Sequence, residues 1–171
     1  MLDYSDIWLA GHSMGGLLAI NAAVKYSRHV RGIFLIACPL KITVFSLYAM
    51  KVRIKQVFSG SSNPLKAAYL SSSSVAPSLS LIWRTSKPAA ELRKLILASK
   101  DNLPLVCVPV TAVYSTADEL TSIDSLEILE SDLSRTLMKR VLLVDSLHSY
   151  YPEHDLTIIK QALLSLIGSA S

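Results

Sequence analysis

The sequence predicts an α/β fold built on a parallel sheet of about four strands, with helices on both faces. Three observations carry that expectation. Four short apolar runs, at positions 7–10, 30–37, 106–114 and 141–144, read as strands, the second with β-branched and aromatic members. Helical periodicity occupies intervals between and after them, at Leu17, Ile20 and Val24, at Leu126, Leu129 and Leu133, and at Leu156, Ile159, Leu163 and Leu166. A strand–helix–strand order at this spacing pairs its strands in parallel.

The chain of 171 residues is long enough for one domain with a sizeable core. Its 51% hydrophobic and 18% charged residues argue against disorder. No apolar run reaches the ~18 residues a membrane span needs; the nearest, residues 32–50, is broken by Pro39 and Lys41. No basic-then-apolar leader opens the sequence. Cys38 and Cys107 both lie in apolar stretches and read as buried free thiols, which points to a reducing, cytoplasmic compartment. Metal-ligand spacing, a phosphate loop and a dinucleotide fingerprint are all missing, so neither metal nor cofactor is expected.

Charge is uneven. Residues 1–100 hold 13 Lys and Arg against 3 Asp and Glu, whereas residues 101–171 hold 4 against 10. The basic stretch lies mostly between Lys41 and Lys100. It reads first as a solvated face, and second as a surface for weak contact with anionic lipid. Aromatic residues are too sparse there for base stacking, so nucleic acid is not an expected partner.

In chain order, residues 7–10 form the first strand, and Gly11-His12-Ser13-Met14-Gly15-Gly16 follows as a sharp turn into a helix over residues 17–26. Gly-x-Ser-x-Gly between a strand and a helix is the setting of a nucleophile elbow. Small residues at Gly11 and Gly15 are expected to let strand and helix close up around a strained serine. The helix N-terminus behind Ser13 offers free N–H groups to an oxyanion, with the Met14 N–H as the natural donor. Residues 27–29 turn the chain, with His29 at the surface, into the second strand.

Residues 39–100 interrupt the alternation and read as a mostly helical cap: a helix over 43–58, a loop over 59–64, a short helix over 65–70, and a helix from Ser86-Lys87-Pro88 to Ser99. The core is then residues 1–38 and 101–171. Thr121-x-x-Asp124 is expected to start the helix after the third strand, and Pro152 and Asp155 the last one.

A serine hydroxyl needs a base, and the base needs an acid that holds its tautomer. Asp118 follows the third strand and His148 the fourth. Loops after parallel strands share one end of the sheet, so Ser13, Asp118 and His148 can converge there. Glu119 and Asp124 are alternative acids, Asp124 being better explained as a helix-start residue. His154 competes with His148 but sits at a helix start. His12, inside the elbow, is badly placed to turn back onto Ser13.

The chain resembles the C-terminal part of an α/β-hydrolase, most closely the small carboxylesterase and monoacylglycerol lipase branch. The resemblance rests on residues 11–16, on Val108-Pro109-Val110 through Ala117-Asp118, and on Ser146-Leu147-His148 followed by Glu153-His154-Asp155. Leu147 and Ser115 stand where that family often has glycine. The resemblance implies a serine hydrolase acting on small acyl esters, with thioesterase, acyltransferase and amidase chemistry open to the same triad. In that family the elbow strand is the fifth of about eight. A missing N-terminal half, or a partner that supplies it, is therefore expected, and without it a weak or silent half-domain.

Overall fold

The computed structural model describes residues 6–42 and 79–168, with side chains over 6–42 and 87–168. The helices expected over 43–58 and 65–70 and the loop between them lie outside these residues. Four parallel strands, β1 (Ile7–His12), β2 (Val30–Ile36), β3 (Val110–Ser115) and β4 (Met138–Leu143), lie in the order β1-β2-β3-β4. The helices are α1 (Met14–Lys25), α2 (Leu79–Asn102), α3 (Asp124–Asp132) and α4 (Glu153–Gly168), with a short 3₁₀ turn at Leu103–Leu105. No described helix is long and apolar enough to cross a membrane.

The period of two along each strand divides the core between the two faces. Ile33 and Leu35 of β2 and Ala112 and Tyr114 of β3 face one side. There they meet Leu17 and Ile20 of α1, Leu126 and Leu129 of α3, and Leu92, Leu95 and Ile96 of α2. Phe34, Val113 and Leu143 face the other side, against Ala162 and Leu166 of α4. β2 and β3, covered on both faces, are accordingly buried almost throughout.

Several boundaries differ from the sequence expectation. The helix expected to open at Ser86 begins at Leu79 and runs through Pro88. A proline inside a helix removes one backbone hydrogen bond and crowds the preceding turn. The helix continues beyond it, where Leu92, Leu95 and Ile96 pack on the core and Asn21 of α1 bonds Ser99 and Asn102. β3 starts at Val110 rather than 106, because residues 103–105 form the 3₁₀ turn, while β4 starts three residues early, at Met138. Cys107 is exposed, and only Cys38 is a buried thiol. The apolar run around Cys107 belongs to the approach to β3, where alternate residues face out.

Which glycine the elbow needs also differs. A Cβ on Gly11 would lie 2.3 Å from the Gly15 carbonyl oxygen, and one on Gly16 would lie 2.9 Å from Cys38 Cβ and Sγ. A Cβ on Gly15 would meet nothing within 4 Å. Gly15 therefore contributes its backbone to the close approach, whereas Gly11 and Gly16 leave no room for a side chain, Gly11 against backbone and Gly16 against Cys38. Gly11→Ala is expected to cost about 3 kcal/mol, since the clash is with backbone that no rotamer change can relieve. At 2–4 °C per kcal/mol, Tm should fall by roughly 6–12 °C. Gly15→Ala, a better helix former in open space, should hold or raise Tm. Thermal unfolding of the two variants checks the pair.

Candidate active site

The site is assembled at the C-terminal ends of the strands. β1 ends at His12, and the chain turns into α1 through Ser13, whose backbone has φ 53° and ψ −126°. A non-glycine residue in that region costs on the order of 1–3 kcal/mol. Burial of Leu17 and Ile20 behind it returns about 1.5–3 kcal/mol each, so packing of α1 outweighs the strain. The Ser13 N–H is held by the Ile36 carbonyl at 2.8 Å, and the Ser13 carbonyl accepts from the Gly16 N–H at 2.9 Å. A serine at this helix position ordinarily bends back to cap the helix. Here the hydroxyl makes no cap bond. Ser13 Oγ lies 2.9 Å from His148 Nε2.

His148 Nδ1 lies 3.0 Å from Asp118 Oδ2 and 3.2 Å from Oδ1. A carboxylate only accepts, so Nδ1 carries the proton and Nε2 is left to accept from the serine. His148 is 6% exposed and Asp118 8%. The Asp118 loop is preset by its own hydrogen bonds. Oδ1 accepts from the N–H groups of Leu120 (2.8 Å) and Thr121 (2.9 Å), and the Ala117 N–H donates to Ser115 Oγ at 3.2 Å. Ser115, standing where glycine was the more familiar residue, thus uses its hydroxyl to shape the turn.

The histidine loop is tied down in the same manner. Ser146 Oγ donates to the buried Asp155 carboxylate of α4 at 2.5 Å, and Leu147 and Tyr150 exchange backbone hydrogen bonds. On the neighbouring side, Lys41 is hydrogen-bonded through its N–H and carbonyl to Ser125 of α3, so the segment after β2 braces the acid loop.

The rival acids and bases fall elsewhere. Asp124 lies in the first turn of α3 and pairs with Lys41. His154 is largely exposed, within 3.4 Å of Asp145 and 3.3 Å of Asp155. Glu119 is buried, and its Oε2 accepts from the His148 backbone N–H at 3.0 Å. Thr121, expected to start α3, instead points its hydroxyl at the Ala37 carbonyl (3.2 Å) and lies 3.4 Å from His148 Nδ1. α3 begins three residues later, and it is the Ser122 hydroxyl that accepts from the Asp124 N–H. His12 makes no hydrogen bond to Ser13 Oγ among those described. It reaches the His148 carbonyl through Nε2 at 2.8 Å, and the Tyr151 hydroxyl donates to the same carbonyl at 3.1 Å. Partial burial of the His12 ring holds its pKa below the ordinary imidazole value. Sequence reasoning assigned none of these contacts to His12, Glu119, Thr121 or Tyr151. The one available signal was adjacency, since His12 and Glu119 flank Ser13 and Asp118.

The family model for serine aminopeptidase, S33, matches residues 3–155. No curated protein matches the chain in sequence. Among solved structures, a monoacylglycerol lipase from Paleococcus ferrophilus is similar with a TM-score of 0.70 at 18% identity. The match covers 98% of this chain and 70% of that one. A meta-cleavage product hydrolase from Pseudomonas fluorescens IP01 is similar with a TM-score of 0.64 at 15% identity, covering 99% of this chain and 67% of that one. A lipase-esterase related protein from Clostridium acetobutylicum has a TM-score of 0.56 at 18% identity, covering 94% and 66%. The chain thus spans about two thirds of the length of these neighbours. Four parallel strands flanked by helices, and a family match over most of the sequence, agree: the chain belongs to the serine aminopeptidase S33 family of α/β-hydrolases.

Proposed function

We propose that this chain is a serine hydrolase that cleaves carboxylic esters through an acyl-enzyme on Ser13. The observation that carries the reading is the unbroken series of hydrogen bonds from Ser13 Oγ through His148 to Asp118. In the first half-reaction Ser13 Oγ attacks the acyl carbon and its proton passes to His148 Nε2. The carbonyl oxygen becomes an oxyanion facing the Met14 N–H, which at the first residue of α1 has no intrahelical acceptor. Collapse breaks the bond to the alcohol, which leaves with the proton from His148. Water then gives a proton to His148 Nε2 and attacks the acyl carbon, and Ser13 departs with that proton restored. Asp118 keeps the proton on Nδ1 and offsets the charge of the imidazolium that forms twice in the cycle. In this reading the cap is the part of residues 39–100 that precedes Leu92, because Leu92, Leu95 and Ile96 pack on the core, and the apolar residues of that stretch of sequence favour a medium-chain or aromatic acyl group.

The experiment is active-site labelling. A fluorophosphonate should add its mass to the peptide bearing Ser13 and leave Ser13→Ala unlabelled; equal labelling of both would overturn the proposal. Turnover of p-nitrophenyl esters, thioesters and amino-acyl p-nitroanilides then ranks the leaving groups, with esters expected first. A second reading is a hydrolase segment of low turnover until a further polypeptide completes the site. It is favoured by β1, which carries the elbow yet has only β2 beside it among the described strands. Labelling of Ser13 with no ester turnover would favour that reading over the first.

A further inference from the structure

His148 is held by its backbone as well as by its ring. Its N–H donates to Glu119 Oε2 at 3.0 Å. Its carbonyl accepts from His12 Nε2 at 2.8 Å and from the Tyr151 hydroxyl at 3.1 Å. The holding groups come from three places: Glu119 from the loop after β3, His12 from the last residue of β1, and Tyr151 from the histidine loop's own far end. His12 and His148 also lie with ring centroids 5.0 Å apart, and the His12 and Tyr151 rings meet edge to face at 6.1 Å. We infer that His12 and Glu119 are positioning residues that clamp the main chain of His148 between the nucleophile turn and the acid loop.

The clamp has a physical rationale. A loop residue can pivot about its own backbone even when its ring has two partners. The Nε2–Oγ separation of 2.9 Å is a contact that a small pivot lengthens beyond proton-transfer reach. Fixing both the N–H and the carbonyl removes that pivot. Because His12 precedes Ser13 directly, the same turn that sets the nucleophile also sets the base, and the two shift together. Both the neutral Nε2–H form and the imidazolium donate from Nε2, so the bond to the carbonyl does not depend on the charge of His12. His12 has no hydrogen bond to Ser13 Oγ or Asp118 among the described contacts, so its bonded route to the reaction is the His148 carbonyl.

This inference rests on the triad reading, and its test keeps the two apart. His12→Phe removes the donor and keeps a ring on a partly exposed position, so the fold should persist. His12→Gln keeps an N–H donor at nearly the same reach. Misplacement of a reacting group by a fraction of an ångström costs on the order of tenfold or more. For p-nitrophenyl ester turnover, His12→Phe should lower kcat roughly tenfold with KM within about twofold. His12→Gln should regain most of it. Glu119→Met should lose as much as His12→Phe, and Glu119→Gln should retain the acceptor and the rate. Glu119 is buried, so its variants count only where thermal unfolding matches wild type; the His12 pair stands without them. Wild-type kcat in His12→Phe, or equal loss in Phe and Gln variants, would overturn the clamp. A readout that needs no turnover is the His148 Nδ1–H proton resonance. Its exchange with water should quicken about tenfold in His12→Phe and stay slow in His12→Gln, because a ring free to pivot spends time away from Asp118. If wild type neither turns over nor labels, the hydrolase reading fails, while this resonance still decides the clamp.

Discussion

Ser13→Ala is expected to lower kcat/KM for an ester substrate by on the order of 10⁴–10⁶-fold while leaving the fold intact. The loss is large because nothing else stands ready to replace the hydroxyl. In the proposed reaction Ser13 Oγ, 2.9 Å from His148 Nε2, is the nucleophile, and the remaining contributions, the oxyanion donor and substrate binding, cannot form the covalent intermediate. The fold should survive for a separate reason. The hydroxyl caps no backbone group of α1, and alanine inherits the φ of 53° at about the same strain that serine carries. Unfolding free energy should therefore change by no more than about 0.5 kcal/mol. His148→Ala should lose about as much rate, and the double variant little more, since the pair act as a unit and their effects do not add. Steady-state kinetics on the three variants measures this directly. Additive losses would mean that Ser13 and His148 do not share a proton.

Much of this arrangement is legible in the sequence, and the reason lies in the parallel sheet. Once the runs ending near residues 10, 37, 114 and 144 were strands in one direction, the loops after them had to emerge at one rim. Asp118 and His148 were the acid and imidazole standing just past their strands. Hydrophobic periodicity carries that much because it is a local signal repeated many times. What it does not carry is where a loop side chain turns. Thr121 has the pattern of a helix start, yet its N–H is taken by Asp118 Oδ1 and its hydroxyl by Ala37, and the helix begins later. Both contacts are set by the turn after β3 rather than by propensity. His12 faces the His148 carbonyl across 136 positions of sequence, a contact that neither spacing nor composition announces. Pro88 is the opposite failure. Its local preference for a helix start is real, yet the helix begins at Leu79 and runs through it despite the loss of one hydrogen bond. Cys107 shows that an apolar neighbourhood in sequence need not bury a side chain.

Asp118→Asn should cost nearly as much rate as loss of the nucleophile, about 10⁴-fold in kcat, although it exchanges one atom for another of almost equal size. The two carboxylate oxygens have different duties. Oδ1 accepts from the N–H groups of Leu120 and Thr121, which fixes which end of an asparagine amide can occupy that place: only the oxygen accepts. The amide nitrogen is then forced to the position of Oδ2, 3.0 Å from His148 Nδ1. A donor there pairs with an unprotonated Nδ1, so the imidazole shifts its proton to Nε2. That nitrogen can no longer take the proton of Ser13, and the base is lost without any movement of the chain. The backbone bonds that shape the loop persist, so Tm should stay near wild type while kcat falls. Nitrogen NMR of His148 should report protonated Nδ1 in wild type and protonated Nε2 in the variant. Retention of the wild-type tautomer together with a full loss of rate would place the role of Asp118 in the charge it supplies rather than in orientation. A variant with both the tautomer and the rate unchanged would remove Asp118 from the triad. Glu119→Gln is the matched control, because its carbonyl oxygen can still accept from the His148 N–H and no imidazole nitrogen depends on its charge.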